Sequence, residues 1–310
     1  MNTQSNAMPE SLDAQRVAPA VLSPSRPMYW SVRRELWENR SIYVAPLAVA
    51  GVFLFGFLIS TIHLPSRMRA LSALDPAQQR EAIAMPFDIA AALLMLTQLL
   101  VGAFYCLDAL HGERRDRSIL FWKSLPVSDL TTVLSKASIP LVVLPLLTFT
   151  ITVAMQLIML LLSSAVLLGS GLNVATLWTQ LSFVQMSLLL LYHLVTVHAL
   201  WPAPIYAWLL LVSGWARRAT FLWALIPPFA IAIFEKITFN TSYVSSMLKN
   251  RLFDAGNTAF DFQMHRSISV DLAQLTPGRF LMTPGLWIGL VVAAAFIAAA
   301  IQLRRYRGPL

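Results

Sequence analysis

The sequence predicts an all-α polytopic membrane protein with six transmembrane helices. Three observations carry that prediction. Of 310 residues, 57% are hydrophobic and only 12% are charged, against about 25% charged in a soluble domain. The mean hydropathy is +0.65. The apolar residues lie in long charge-free runs, and a span needs about 20 of them. Half the usual charge cannot cover a soluble surface, so a soluble enzyme is excluded.

The elements follow in order. Residues 1–24 are polar, with Pro, Ser and Gln and no apolar core of signal-peptide length. They read as a disordered cytoplasmic tail. Residues 28–40 place Tyr29, Trp30, Val32, Leu36 and Trp37 on one arc of a helical wheel, opposite Ser31, Arg34, Glu35 and Glu38. That pattern predicts an amphipathic helix lying in the membrane interface.

Charge-free runs define the spans. Residues 41–66 hold the first, 89–107 the second and 280–303 the last. Residues 137–216 form one uncharged run of 80 between Lys136 and Arg217. Two crossings fit there, at 138–168 and 176–200, joined by Gly169-Ser170-Gly171. Trp201-Pro202-Ala203-Pro204 then breaks the helix, leaving 205–216 as a short helix at the cytoplasmic interface. The fifth span, near 219–237, contains Pro227-Pro228 and is expected to be kinked or broken. Glu235 and Lys236 at its end read as a snorkelling pair.

The flanks set orientation. Arg33, Arg34 and Arg40 precede the first span. Arg114, Arg115, Arg117, Lys123 and Lys136 follow the second, Arg217 and Arg218 follow the long run, and Arg304, Arg305 and Arg307 follow the last. The positive-inside rule puts all of them, and both termini, in the cytoplasm of a multi-pass inner (plasma) membrane protein. The external segments are then 64–86 and 238–283.

No P-loop pattern is present, and none of the four lysines follows a glycine. There is no H-E-x-x-H zinc motif and no G-x-S-x-G elbow. No catalytic or metal-ligating residue is therefore assigned, and the chain is expected to bind no cofactor of its own.

The stretch His111–Lys136 is the most informative. Charges come first, at Glu113, Arg114, Arg115, Asp116 and Arg117. A short helix, Ser118–Ser124, with Ser118 as its expected N-cap, then offers Phe121 and Trp122 beside Lys123. Pro126 stops it, and Ser128-Asp129 opens the next helix. Two surroundings suit an aromatic helix rimmed by charge: a groove on a protein partner, or the lipid headgroups.

Within the spans, polar residues form stripes. Gln98, Gly102 and Tyr105 share a face of the second span, Thr148, Thr152, Gln156 and Ser163 one of the third, and Ser182, Gln185, His193 and Thr196 one of the fourth. Lipid offers no hydrogen bonds, so these faces turn inward. Gln98, Tyr105, Thr148, Thr152, Gln156, Gln185 and His193 are candidate pathway lining. Interhelical glue is the commoner role of such residues.

The E-R pair, the small helix, S-L-P-V-S and the lysine of the following span together resemble the permease subunits of ABC-2 type transporters. The segment P-I-Y-A-W-L-L-L-V-S-G-W-A-R-R (204–218) is similar to bacterial members, and the amphipathic helix, six spans and long fifth-to-sixth segment agree. The resemblance implies that residues 25–310 are one permease domain and that Ser118–Ser124 is a cytoplasmic coupling helix. It implies that Glu113, Arg114, Arg115, Asp116, Arg117, Phe121, Trp122 and Lys123 contact a separate ATPase subunit. ATP and Mg would then sit on that partner, and a second permease copy or homologue would complete a pathway, more often for export. A membrane-embedded enzyme acting on lipids is the rival reading, and a non-transporting sensor or scaffold subunit a third. Intramembrane carboxylates, which such an enzyme needs, are nearly absent.

Overall fold

The computed structural model describes residues 25–124, 127–253 and 277–306. The expected tail, Pro126 and half of the expected second external segment lie outside them. The described residues are helical, with no strand among them. Six helices are long and apolar enough to cross a membrane: Ser41–Leu71, Pro76–Arg115, Asp129–Gly169, Ala175–Leu200, Thr220–Phe239 and Pro284–Tyr306. The chain is an all-α polytopic membrane protein.

The first three spans pack side by side. Phe57, Phe87, Met155, Met159 and Leu160 fill the core at one end of the bundle, and Ile42, Cys106, Val133, Ile139 and Tyr206 at the other. Packing in lipid rests on close contact rather than on water expulsion. Gly102 shows this: a Cβ there would lie 3.3 Å from the ring of Tyr206.

The third span is interrupted. Ile139–Val143 is a π-helical turn, and Pro140 within it has no N–H to offer the α-helical ladder. A second π-helical stretch, Leu194–Leu200, lies in the fourth span, and the two segments touch. The third span ends at Gly169, and Gly171 takes φ +70 to turn the chain, a conformation glycine reaches without strain.

Three sequence expectations need correction. The short helix after the Trp-Pro break is Ala203–Trp215, and it does not lie across the interface. Trp201, just ahead of it, packs on Leu286 at the start of the last span. The carbonyl of Gly214 accepts a hydrogen bond from Arg114 at the end of the second span. The helix therefore runs inside the bundle and continues the fourth crossing. Its alanines at 203 and 207 let Ala293 of the last span approach closely.

The fifth span is the second correction: it is not broken, and Thr220–Phe239 is one continuous helix with Pro227-Pro228 inside it. It ends at Asn240, whose φ of 50 is left-handed, a common helix terminator. Nearly all of its side chains face outward, and Ala224 is its one buried residue. The third is Glu235. Its carboxylate accepts from Thr241 Oγ1 at 2.7 Å and from the amides of Tyr243 and Val244 at 2.6 and 2.8 Å. It caps the next helix, Tyr243–Phe253, instead of pairing with Lys236.

Candidate functional site

Four separate parts of the chain converge at the bundle end that carries Arg304. The N-terminal helix, Ser25–Glu38, supplies Arg34 and Glu35. The link helix after the second span, His111–Arg115, supplies Glu113. The first turns of the third span supply Asp129 and Lys136, and the last span supplies Arg304.

Their charges interlock. Lys136 Nζ donates to Glu35 Oε1 at 2.9 Å and lies 3.1 Å from Glu113 Oε1. Arg34 reaches the same two oxygens at 2.7 and 3.1 Å. Arg304 bonds Glu113 and, at 3.0 Å, Asp129. Tyr105 donates from its hydroxyl to Glu35 Oε2 at 2.8 Å. Glu35, Glu113 and Asp129 face the three cations, and Glu38 adds a more exposed carboxylate 3.7 Å from Arg34. Glu35 is fully buried and Lys136 nearly so. Burial alone would push the Glu35 carboxyl up, but the Lys136 ammonium and Arg34 guanidinium outweigh it and hold the group below the usual carboxylate range.

Local sequence chemistry positions these groups. The third span opens at Ser128-Asp129 as expected, with Ser128 as its cap, the hydroxyl accepting from Thr131 N at 3.1 Å. Ser118, the expected cap of the short helix, is instead its first helical residue, and its hydroxyl donates to the Glu113 carbonyl at 3.4 Å. Arg114 donates to the Gly214 carbonyl at 2.7 Å, one of the acceptors a helix leaves free in its last turn. Arg117 takes φ 59, a left-handed conformation uncommon for a residue with a Cβ. That residue turns the chain from the link helix into the next one.

The helix Ser118–Ser124 rests on this lattice. Ile119 points down and is buried, while Leu120 and Phe121 point out, 59% and 60% exposed. Trp122 is half-buried, with the Arg34 guanidinium 4.0 Å above its ring. Phe121 meets Trp122 edge-on at 4.9 Å. Lys123 reaches toward the Arg305 carbonyl at 3.5 Å.

The expected contact set therefore divides. Arg115, Asp116, Arg117, Phe121 and Lys123 are exposed, and Arg115 pairs with Asp108 and Asp116. Glu113 and Arg114 are buried and form no rim; they tie the link to the bundle. Trp122 is as much a support as an anchor. Leu120, which sequence reasoning passed over, is the second outward apolar residue. Glu35, Asp129, Lys136 and Arg304 were also missed as a cluster. One signal for them was present: Lys136 opens an otherwise uncharged run, where a lone cation needs a partner.

The N-terminal helix sits the other way round from a simple surface helix. Ser31 and Glu35 of its polar arc are buried against the bundle. Tyr29, Trp30 and Trp37 are exposed, with Arg33 stacked 5.2 and 4.8 Å from Trp30 and Trp37.

The polar stripes lie inside this one chain. Gln98, Thr148, Thr152 and Gln156 are buried between the second and third spans. Gln156 Nε2 donates to the Phe87 carbonyl at 3.3 Å, and Thr152 to Thr148 O at 2.7 Å. Neither amide atom of Gln98 has a hydrogen-bond partner. Tyr105 belongs to the ionic lattice. Gln185 and His193, in the fourth span, are half-buried, the latter beside His198 at 5.1 Å between ring centres. Among the described residues no group of His, Cys, Asp and Glu is arranged to hold a metal ion.

Compared with family models, curated proteins and solved structures, the chain matches none.

Proposed function

We propose that this chain is the membrane-spanning permease subunit of an ATP-driven transporter of the ABC-2 type. Separate ATPase subunits would dock on Ser118–Ser124 from the cytoplasm. The observation that carries the reading is the pairing of an outward apolar helix with a rigid base. Leu120 and Phe121 stand exposed on a helix whose Trp122 stacks on Arg34, and Arg34 belongs to a lattice of buried charge that joins the N-terminal helix, the link helix, the third span and the last span. A push on that helix would reach those elements without an intervening flexible link. Discrete, packed elements of this kind transmit motion as a switch between arrangements.

On this reading the Arg-rich end of the bundle faces the cytoplasm, and the chain itself hydrolyses nothing. A pathway would form with a second permease copy or homologue, with export the direction the resemblance favours.

The test is affinity purification from the native membrane, followed by mass spectrometry and an ATP-hydrolysis assay. A soluble ATPase bearing Walker motifs is expected to copurify in stoichiometric amount. Leu120→Ala with Phe121→Ala should release it while the chain stays folded, because neither side chain supports the bundle. Buried apolar anchors commonly carry about 2 kcal/mol or more of an interface. Recovery of the chain without an ATPase, or full coupling in the double variant, overturns the proposal.

A further inference from the structure

At the bundle end opposite the ionic lattice, a cavity of about 540 Å³ opens between the first and second spans. Its size falls within the usual range for a small-ligand site, roughly 300–1,000 Å³. The wall is apolar: Phe53, Phe57, Met68 and Phe87 line it. Its lining includes Gly56, which is exposed and where a Cβ would meet nothing within 4 Å. Val52, Met85 and Ile89, also in the lining, are exposed on the outer surface, so the cavity opens sideways toward lipid.

Its polar end is chemically distinct. Ser60, Thr61 and Arg67 are gathered there. Arg67 is the one ionisable group in the lining, and it is exposed with no ion pair among the described residues. It lies 26 residues beyond Ser41, about 39 Å along the helical path. A hydrocarbon core is about 30 Å thick. The guanidinium therefore stands at headgroup depth while the aromatic wall lies in the acyl layer.

We infer that this cavity binds an anionic phospholipid of the surrounding bilayer, one acyl chain in the Phe53–Phe57–Phe87 groove and its phosphate on Arg67. The inference is independent of transport. The shape fits an unbranched chain entering laterally, and the lone cation selects charge: a Lys or Arg near the surface favours an anionic headgroup by about fivefold in occupancy.

The test uses the full chain in nanodiscs containing phosphatidylglycerol, or phosphatidylcholine, with a diazirine on one acyl chain. Photolysis and peptide mapping read the site of attachment. Adducts are expected to concentrate on Phe53, Phe57, Met68 and Phe87. The outward residues Ile233 and Phe234 of the fifth span serve as the bulk-lipid reference. Gly56→Leu adds a side chain to the cavity lining where space is open and should reduce groove labelling to the reference level, with the reference itself unchanged. Arg67→Gln should abolish the roughly fivefold preference for phosphatidylglycerol and leave phosphatidylcholine labelling as it was. Both variants are matched to the parent in thermal midpoint before labelling. Groove labelling no higher than the reference, or unaltered by Gly56→Leu, refutes the site. Equal labelling by the two lipids in the parent refutes its charge selectivity.

Discussion

Lys136 donates to Glu35 across 2.9 Å, and the two are separated by 101 positions in the chain. One belongs to the third span and the other to the N-terminal helix, and both are essentially out of contact with solvent. Removing one member unbalances buried charge: Lys136 would keep only Glu113, and Glu35 only Arg34 and the Tyr105 hydroxyl. The cost should approach, without exceeding, that of a broken buried pair, about 3–5 kcal/mol. Glu35→Gln and Lys136→Met should each lower the thermal midpoint strongly. The double variant removes a neutral pair and should lose much less than the sum. Full additivity in this cycle, measured by detergent thermal denaturation, would mean the lattice is not energetically coupled.

The pH dependence has a defined sign. Glu35 is held below its ordinary value in the folded chain. A depressed carboxyl contributes stability that is fully present above its unfolded pKa, about 4.3. That contribution is lost as pH falls through the folded value. Stability should therefore be level between neutral pH and about pH 5 and decline on further acidification. Glu35→Gln should show a lower but flatter profile. A parallel decline in parent and variant would assign the acid sensitivity to other carboxylates.

Spans were legible in the sequence because each is a contiguous charge-free run. The start of the third span at Ser128-Asp129 was legible because helix-opening signals are local, whereas Ser118, expected as a cap by the same signal, lies in its helix. The lattice was not. Glu35 reads as the polar side of an amphipathic helix, and nothing within residues 28–40 says that this side meets Lys136 and Tyr105. Glu113 and Arg114 read as rim charges because their partners, Arg304 and Gly214, lie about a hundred or more residues away. The helix Ala203–Trp215 was misplaced for a related reason. It is too short to cross alone, at about 20 Å by helical rise, and its continuity with the fourth span depends on how Pro202 sets the angle between them.

Gln98 and Gln156 look alike in sequence and differ in the structure. Gln156 Nε2 bonds the Phe87 carbonyl and only its Oε1 is unpartnered, whereas both amide atoms of Gln98 are buried without a partner. A buried polar group without a partner costs about 1–3 kcal/mol. Gln98→Leu should thus raise the thermal midpoint, and Gln156→Leu should lower it. A loss of stability in Gln98→Leu would show that its amide is hydrated or liganded in the membrane, and would return it to the candidate pathway.

Orientation is tested by labelling. The single cysteine, Cys106, is buried, so background reaction should be small. Cysteines placed at Arg115 and Tyr306 are expected to react only from the cytoplasmic side. Those at Arg69 and Met247 should react only from outside. Reaction of Arg115→Cys with an impermeant reagent in intact cells would reverse the proposed topology.

Phe121 and Trp122 are neighbours with different duties, and separating them tests what the helix Ser118–Ser124 is for. Trp122 sits under Arg34, which also pairs with Glu35, Glu113 and Glu38. Losing the ring removes a cation–π contact of about 0.5–2 kcal/mol and loosens Arg34 within the lattice. Trp122→Ala should therefore lower the thermal midpoint of the isolated chain. Phe121 projects outward and touches the lattice only through the edge of Trp122. Phe121→Ala should leave the isolated chain within about 0.5 kcal/mol of the parent, as exposed substitutions usually do. Its effect should appear when the partner is present, as weaker retention of the ATPase or hydrolysis no longer tied to transport. Arg117→Ala, an exposed rim charge, should act more weakly and fade at high salt. If Phe121→Ala instead destabilises the isolated chain as much as Trp122→Ala does, the ring is a packing residue and the outward face is no docking surface.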